Sequence, residues 1–165
     1  MEDRTDFGAE SGNATSGGTQ AGAGSRTRIG LDVGTSKVVT AKGDAKKSET
    51  GAQLNAFFIV PYSSLHEASL RQSQIAFYRE GDELVVYGSD AEKFAHMFNA
   101  EVRRPMAKGI LNPGEPAATH VLETILGSLV PPAPAAGEMI AFSVPAAARD
   151  MGAELTYHEE TIKRY

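Results

Sequence analysis

The sequence of 165 residues contains no cysteine, which excludes a disulfide framework and any thiolate metal site. It also lacks an excess of basic residues, because 16 Lys and Arg stand against 21 Asp and Glu, a formal net charge of −5. A protein that coats nucleic acid would carry a concentrated basic stripe. The composition therefore predicts a mildly acidic protein with no nucleic-acid partner.

Long hydrophobic runs are also missing. The uncharged stretch of residues 124–137 contains three prolines and is too short to cross a bilayer. The N-terminal Met-Glu-Asp-Arg never leads into the apolar run of a secretory signal. Hydrophobic residues still make up 41% of the chain, which is normal for a globular protein. We predict a cytoplasmic protein without a transmembrane segment.

The N-terminal segment differs in composition from the rest. Residues 1–28 contain no Ile, Leu or Val and hold six of the 17 glycines. Such a segment buries too little apolar surface to offset the entropy of ordering its backbone. Two parts are predicted: a Gly/Ala/Ser/Thr-rich disordered tail over residues 1–27, and a folded domain over residues 28–165. A tail that binds a partner is the alternative interpretation.

Hydrophobic periodicity predicts a mixed α/β (α+β) domain. Ile29, Leu31 and Val33 alternate with polar or small residues, which is the period of a strand with one buried face. Residues 29–43 are predicted to form a β-hairpin around a Gly34–Ser36 turn, followed by a loop over residues 43–53. Further strands are predicted over 55–60, 74–79, 84–87 and 139–144. Helices are predicted over 89–98, over 115–129 and from about 156, the first with Ser89 as N-cap and Glu92 completing a capping box.

The residues with recognisable chemistry lie at the predicted hairpin turn. Gly34 allows a ligand to approach the backbone closely, and consecutive N–H groups with the hydroxyls of Thr35 and Ser36 form an anion-binding concavity. The carboxylate of Asp32 is placed to hold a hydrated Mg²⁺, and the ammonium of Lys37 to contact a phosphate oxygen. The alternative is an ordinary turn beside a solvated aspartate.

Four segments in order resemble one superfamily. Residues 29–39 (Ile-Gly-Leu-Asp-Val-Gly-Thr-Ser-Lys-Val-Val) resemble the first phosphate motif of the actin-like ATPases, the superfamily of actin, heat-shock chaperone ATPases and sugar kinases, and are most similar to the FtsA type. Residues 85–91, 104–111 and 139–145 resemble segments of the MreB type. One departure is Asn112, which stands near the place where MreB-type sequences carry an acidic residue.

The resemblance implies the N-terminal portion of a ribonuclease H-like, actin-type ATPase domain, truncated before the second phosphate and adenosine motifs of the family. It implies ATP and Mg²⁺ as cofactors, with phosphates on Gly34, Thr35, Ser36 and Lys37 and the metal on Asp32. By the same resemblance, the complete protein forms nucleotide-dependent filaments in bacterial cell shape or division, with division or envelope partners and peripheral membrane contact. ATPase activity then requires the missing C-terminal part, so the chain alone is expected to be inactive.

Alternatives remain for the chemistry. Glu159 and Glu160 lie near the place where filament ATPases position a water-activating carboxylate, but a solvated helix face is the competing interpretation. A non-hydrolysing, ATP-binding scaffold is one alternative function. A small-molecule kinase of the same fold is another, although residues 42–100 offer no convincing Asp base. The four histidines are too scattered to predict a metal site.

Overall fold

The computed structural model describes residues 28–43, 47–133, 139–143 and 152–164. These ranges form nine strands, which are β1 (Arg28–Val33), β2 (Lys37–Gly43), β3 (Ser48–Leu54), β4 (Phe57–Pro61), β5 (Phe77–Glu80), β6 (Glu83–Tyr87), β7 (Met106–Ala107), β8 (Ile110–Leu111) and β9 (Ile140–Ser143). They also form four α-helices, which are α1 (Ser64–Gln72), α2 (Ser89–Phe94), α3 (Ala118–Leu129) and α4 (Gly152–Arg164). The tail predicted over residues 1–27 lies outside the described residues.

The larger sheet is mixed, with the strand order β3-β2-β1-β9. β1 pairs antiparallel with β2, which pairs antiparallel with β3. β9 lies parallel to β1 on its other side, with Asp32 level with Ser143. A second, antiparallel sheet has the order β4-β6-β5, and β7 and β8 form a separate hairpin. The predicted hairpin over residues 29–43 and the mixed α/β class are confirmed.

One face of the larger sheet packs against α3. Side chains two residues apart point to the same face of a strand, so Ile29, Leu31 and Val33 are buried together. The helix contributes a buried stripe with helical spacing, formed by Ala118, Val121, Leu122, Ile125 and Leu126. A second core lies against the smaller sheet and joins its strands to α1 and α2 through Phe58, Val60, Leu70, Leu84, Val86, Ala91 and Ala95.

The loop predicted over residues 43–53 is wrong, because Gly43 ends β2 and residues 48–54 form β3. The β3 sequence lacks the apolar alternation by which strands are recognised, because neither face of β3 is buried and every one of its residues is at least partly exposed. β3 forms through its backbone, in register with β2 from Lys37 opposite Leu54 to Gly43 opposite Ser48. Residues 44–46 lie outside the described residues.

The helices also depart from prediction. α1 was not predicted, because the segment around it is rich in polar residues and only Leu70 of the helix is buried. α2 gives way to a 3-10 turn at Ala95–Phe98, and its N-cap is Gly88 without a side-chain cap, so the predicted Ser89 capping box is wrong. α3 begins at Ala118 rather than at residue 115, and α4 begins at Gly152 rather than near residue 156.

β9 was predicted to be a buried strand; the strand is present, but the prediction that it is buried is wrong. Ile140 is 44% exposed and Met139, just before it, is 72% exposed. The reason is the position of β9 at the end of the larger sheet, where only Phe142 packs against the core. Val144, included in the prediction, lies outside the described residues.

α4 contacts the rest of the fold partly through a buried histidine. The His158 side chain is fully buried, and neither of its ring nitrogens has a hydrogen-bond partner. Desolvation by burial lowers the pKa of His158 from its ordinary value of 6.5. The imidazole is therefore neutral in the folded protein at neutral pH.

We expect acid to destabilise the protein through His158. Below pH 6.5 the unfolded chain takes up a proton that the folded chain rejects, so stability is fully present above that pH and falls as the pH drops toward the lowered folded pKa. Urea unfolding at about pH 7.5 and about pH 5.5 measures the loss. His158→Phe should reduce the pH dependence, whereas His96→Gln, at an exposed position, should preserve it. An unchanged pH dependence in His158→Phe would contradict this account.

Candidate functional site

The β1–β2 turn, residues Gly34–Ser36, is a tight connection between antiparallel strands. The Gly34 N–H donates to the Lys37 carbonyl oxygen at 2.9 Å and closes the turn. A Cβ on residue 34 would lie 3.0 Å from the same oxygen, which is tighter than ordinary contact. Glycine is therefore the residue that fits, and the predicted position of the turn is confirmed.

Two distant segments hold the turn in place. The Asn55 side-chain Nδ2 donates to the Gly34 carbonyl oxygen at 2.9 Å, and the Asn55 backbone N–H donates to the Ser36 carbonyl oxygen at 2.9 Å. From the other side, the Gly109 N–H donates to Thr35 Oγ1 at 2.9 Å. Asn55 is fully buried, so its side chain has little freedom to move away. Hydrogen bonds within the fold thus fix the turn.

Several donors at the turn remain available. Across the described residues, the backbone amides of Thr35 and Ser36, the Ser36 hydroxyl and the Lys37 ammonium have no hydrogen-bond or ion-pair partner. Ser36 and Lys37 are exposed, whereas Gly34 and Thr35 are half-buried. Two amides, a hydroxyl and an ammonium within three consecutive residues form a donor set for an anion with several oxygens.

Asp32 lies at the same edge of the sheet. Its side chain is exposed on the face opposite to the core, and its Oδ1 accepts a long hydrogen bond of 3.4 Å from Ser143 Oγ. Because β1 and β9 are parallel, their carboxyl ends meet at this edge, next to the β1–β2 turn. The crevice beyond the carboxyl ends of parallel strands is the usual place for ligands in α/β sheets. A shallow concavity of about 390 Å³ on this face includes Asp32 and Ser143.

The other candidate carboxylates form ion pairs within α4. Glu159 and Glu160 lie on α4, and both bind Lys163, with oxygen-to-Nζ distances of 2.8 and 3.1 Å. Their hydrogen bonds raise the pKa of Lys163 above its ordinary value. These contacts describe an exposed face of α4 on which Glu159 and Glu160 pair with Lys163. No group of three or more His, Asp or Glu side chains that could hold a metal occurs among the residues the structure describes.

A second concavity lies between α3 and α4. It has a volume of about 520 Å³ and is lined in part by Asn112, Glu115, Thr119 and Tyr157. The Thr119 hydroxyl and the Tyr157 hydroxyl are 3.1 Å apart and bridge the two helices. Asn112, which lines this concavity, is the residue that departs from the MreB-type pattern. The sequence did not predict a concavity at this position.

Sequence reasoning missed Asn55 and Gly109 as contributors to the site. Asn55 precedes an apolar strand, where it looks like an ordinary polar residue at the start of β4, and its contact with Gly34 spans 21 residues. Gly109 contacts Thr35 across 74 residues. The signal that could have found Asn55 is a polar residue directly next to a buried run, because a buried amide needs hydrogen-bond partners.

Comparison with known proteins gives a family and one structural relative. No curated protein matches the sequence. A solved structure of a non-polymerising MamK mutant bound to AMPPNP is similar, with 20% identity over 82% of this chain and 38% of that chain, at a TM-score of 0.45. The chain therefore spans less than half the length of that protein. None of the described helices is long and apolar enough to span a membrane. The Volactin family model matches residues 27–165, and the chain accordingly belongs to the Volactin family.

Proposed function

We propose that the chain is the N-terminal portion of an actin-like, ATP-binding protein and that the β1–β2 turn holds the phosphates of the nucleotide. The observation that carries the proposal is a turn fixed by Asn55 and Gly109 whose remaining donors are unpaired. A preorganised donor set binds an anion without a reorganisation cost. The resemblance of residues 29–39 to the first phosphate motif of actin-like ATPases supports the same assignment.

Each residue has a distinct role in the proposal. The amides of Thr35 and Ser36 point their partial positive charge at the phosphates, and Lys37 adds a charge-assisted contact. Asp32 would hold Mg²⁺ directly or through water, because Mg²⁺ prefers oxygen ligands and commonly combines one or two carboxylates with phosphate oxygens. When bound, the ion neutralises phosphate charge. The exposed position of Asp32 fits a partly hydrated ion.

The wider proposal is a filament-forming protein of the MreB or FtsA type, acting in cell shape or division with its filament state coupled to the nucleotide. One observation favours the scaffold alternative, in which ATP is bound but not hydrolysed. Glu159 and Glu160, the candidate carboxylates for positioning a water, are both paired with Lys163. Phosphate release from the complete protein with Mg-ATP distinguishes the two: steady turnover supports the ATPase, and binding without turnover supports the scaffold.

Removing the charges at the turn tests the phosphate assignment. Inorganic tripolyphosphate, titrated into the 165-residue chain and followed by amide NMR shifts, probes the turn without the adenosine half of the nucleotide. We expect Lys37→Ala to weaken binding by about tenfold, the low end for a charge-assisted hydrogen bond because Lys37 is exposed. Lys42→Ala removes the same charge from the far end of β2 and is the matched control.

Substitution of Asp32 provides a second test, in which the expected change in tripolyphosphate binding reverses when Mg²⁺ is added. Without Mg²⁺, Asp32→Ala should strengthen tripolyphosphate binding, because it removes a negative charge near the anion. With Mg²⁺, the same change should weaken binding, because it removes a ligand of the ion. The shifts should concentrate at Thr35 and Ser36. No shift at these amides, or equal effects of Lys37→Ala and Lys42→Ala, would refute the phosphate site.

A further inference from the structure

The β7–β8 hairpin has a strained lysine at its tip. Ala107 pairs with Ile110, so Lys108 and Gly109 alone form the connection. Both have positive φ angles, 53° at Lys108 and 86° at Gly109. Positive φ at both central residues is the signature of a type I′ turn, which favours Asn-Gly, Asp-Gly or Gly-Gly. Lysine is therefore not the residue that turn stability selects at position 108.

This tip contacts the β1–β2 turn directly. The Gly109 N–H that donates to Thr35 Oγ1 at 2.9 Å belongs to the peptide bond between Lys108 and Gly109. Standard backbone dimensions then place the Lys108 Cα within roughly 6 Å of Thr35 Oγ1, a span comparable to the length of a lysine side chain. Lys108 is exposed, and in the part of the chain that the structure describes its ammonium has no carboxylate partner.

We infer that Lys108 is the second cation of the anion site at the β1–β2 turn and contacts the same phosphate chain as Lys37. The inference rests on the proposed function and adds a residue from a different hairpin. Backbone strain at a position next to a donor cluster is explained by function, because a neutral, turn-compatible residue would relieve it. With Asp32 counted, the two lysines leave this edge of the sheet with a net positive charge, as an anion site requires.

Lys108→Asn separates charge from turn geometry. Asn-Gly is a favoured type I′ pair, so the variant should fold with an unchanged or higher melting temperature. Titrated with inorganic tripolyphosphate at low salt, the 165-residue chain carrying Lys108→Asn should bind about three- to tenfold more weakly than the unchanged chain. Lys108→Arg keeps the charge and should bind within about twofold of it. The Gly109 amide should shift on titration together with those of Thr35 and Ser36.

The remaining variants make failure of each idea recognisable. Lys42→Asn removes one positive charge five residues along β2 from Lys37, about 17 Å away, where its Coulomb attraction for the bound anion is much weaker than that of an ammonium in contact with it. If Lys37→Ala weakens binding but Lys108→Asn does not, Lys108 is no part of the site and the proposed function stands. If Lys42→Asn weakens binding as much as Lys108→Asn, the loss of affinity reflects the net charge of the chain rather than a contact from Lys108, and the inference is wrong. If the unchanged chain shows no shift at Thr35 and Ser36, the proposed function fails, and the inference with it.

Discussion

Replacing Gly88 by alanine should lower the free energy of unfolding by about 3 kcal/mol, the largest effect we expect from a single substitution in this chain. Gly88 has φ 74° and ψ −148°, a region that is essentially reserved for glycine. A Cβ there would lie 2.6 Å from Gln53 Cδ, so the Gln53 side chain must move. Its Oε1 would then lose the bonds from the Ser89 N–H at 2.9 Å and the Ser89 hydroxyl at 2.7 Å.

Gly81→Ala is the matched control for this prediction. Gly81 also has a positive φ, 58°, but a Cβ there meets no atom within 4 Å. We expect it to cost about 1 kcal/mol, the loss for a positive-φ glycine whose added Cβ meets no neighbour. In a Gln53→Ala background, Gly88→Ala should cost less. The side chain that would clash with the new Cβ is absent there, and so are its hydrogen bonds with Ser89. Urea unfolding measures all of these variants. Equal losses with and without Gln53 would show that the clash is not the cause.

Glu115→Ala is expected to cost about 2 kcal/mol. Glu115 is 8% exposed and binds Arg103 through both carboxylate oxygens, at 2.8 Å to Nε and 2.6 Å to Nη2. Arg103 in turn exchanges two backbone hydrogen bonds with Phe57, so the pair connects the segment before α3 to the start of β4. The Arg103 side chain is 38% exposed, which keeps the loss below that of a fully buried pair.

An exposed pair elsewhere provides the comparison. Glu67 and Arg71 form an ion pair of similar length, 2.7 Å, along the surface of α1, with Arg71 68% exposed. We expect Glu67→Ala to change stability by less than about 0.5 kcal/mol, because water screens the pair. Thermal and urea unfolding of the two variants, measured side by side, test whether burial makes the difference. A loss in Glu115→Ala no larger than in Glu67→Ala would contradict the prediction.

The parts of the fold that sequence predicts well are those with local signals. The alternation of Ile29, Leu31 and Val33 and the glycine at 34 are enough to place the β1–β2 hairpin. The apolar spacing of Leu122 and Ile125 is enough to predict α3. Both features rest on contacts between residues a few positions apart, or on a one-sided hydrophobic pattern, which periodicity detects.

The parts that sequence does not predict depend on distant partners. β3 is a strand because its backbone pairs with β2, although its side chains are polar. At the start of α2, the Ser89 N–H donates to Gln53 Oε1, which is 36 residues away in sequence. The fixed geometry of the candidate site comes from Asn55 and Gly109. A list of site residues read from the motif alone therefore names the donors at the turn but not the residues that orient them.

The parallel pairing of β1 with β9 has a consequence for how the protein folds. Asp32 and Ser143, which meet at the edge of the sheet, are 111 residues apart in sequence. Closing a loop of that length costs entropy before any contact is gained, whereas the β1–β2 hairpin closes locally on a microsecond scale. During synthesis from the N-terminus, the turn that carries the donors is complete more than a hundred residues before the strand that brings Ser143 to Asp32. The site is thus completed only after β9 has been synthesised and has paired with β1.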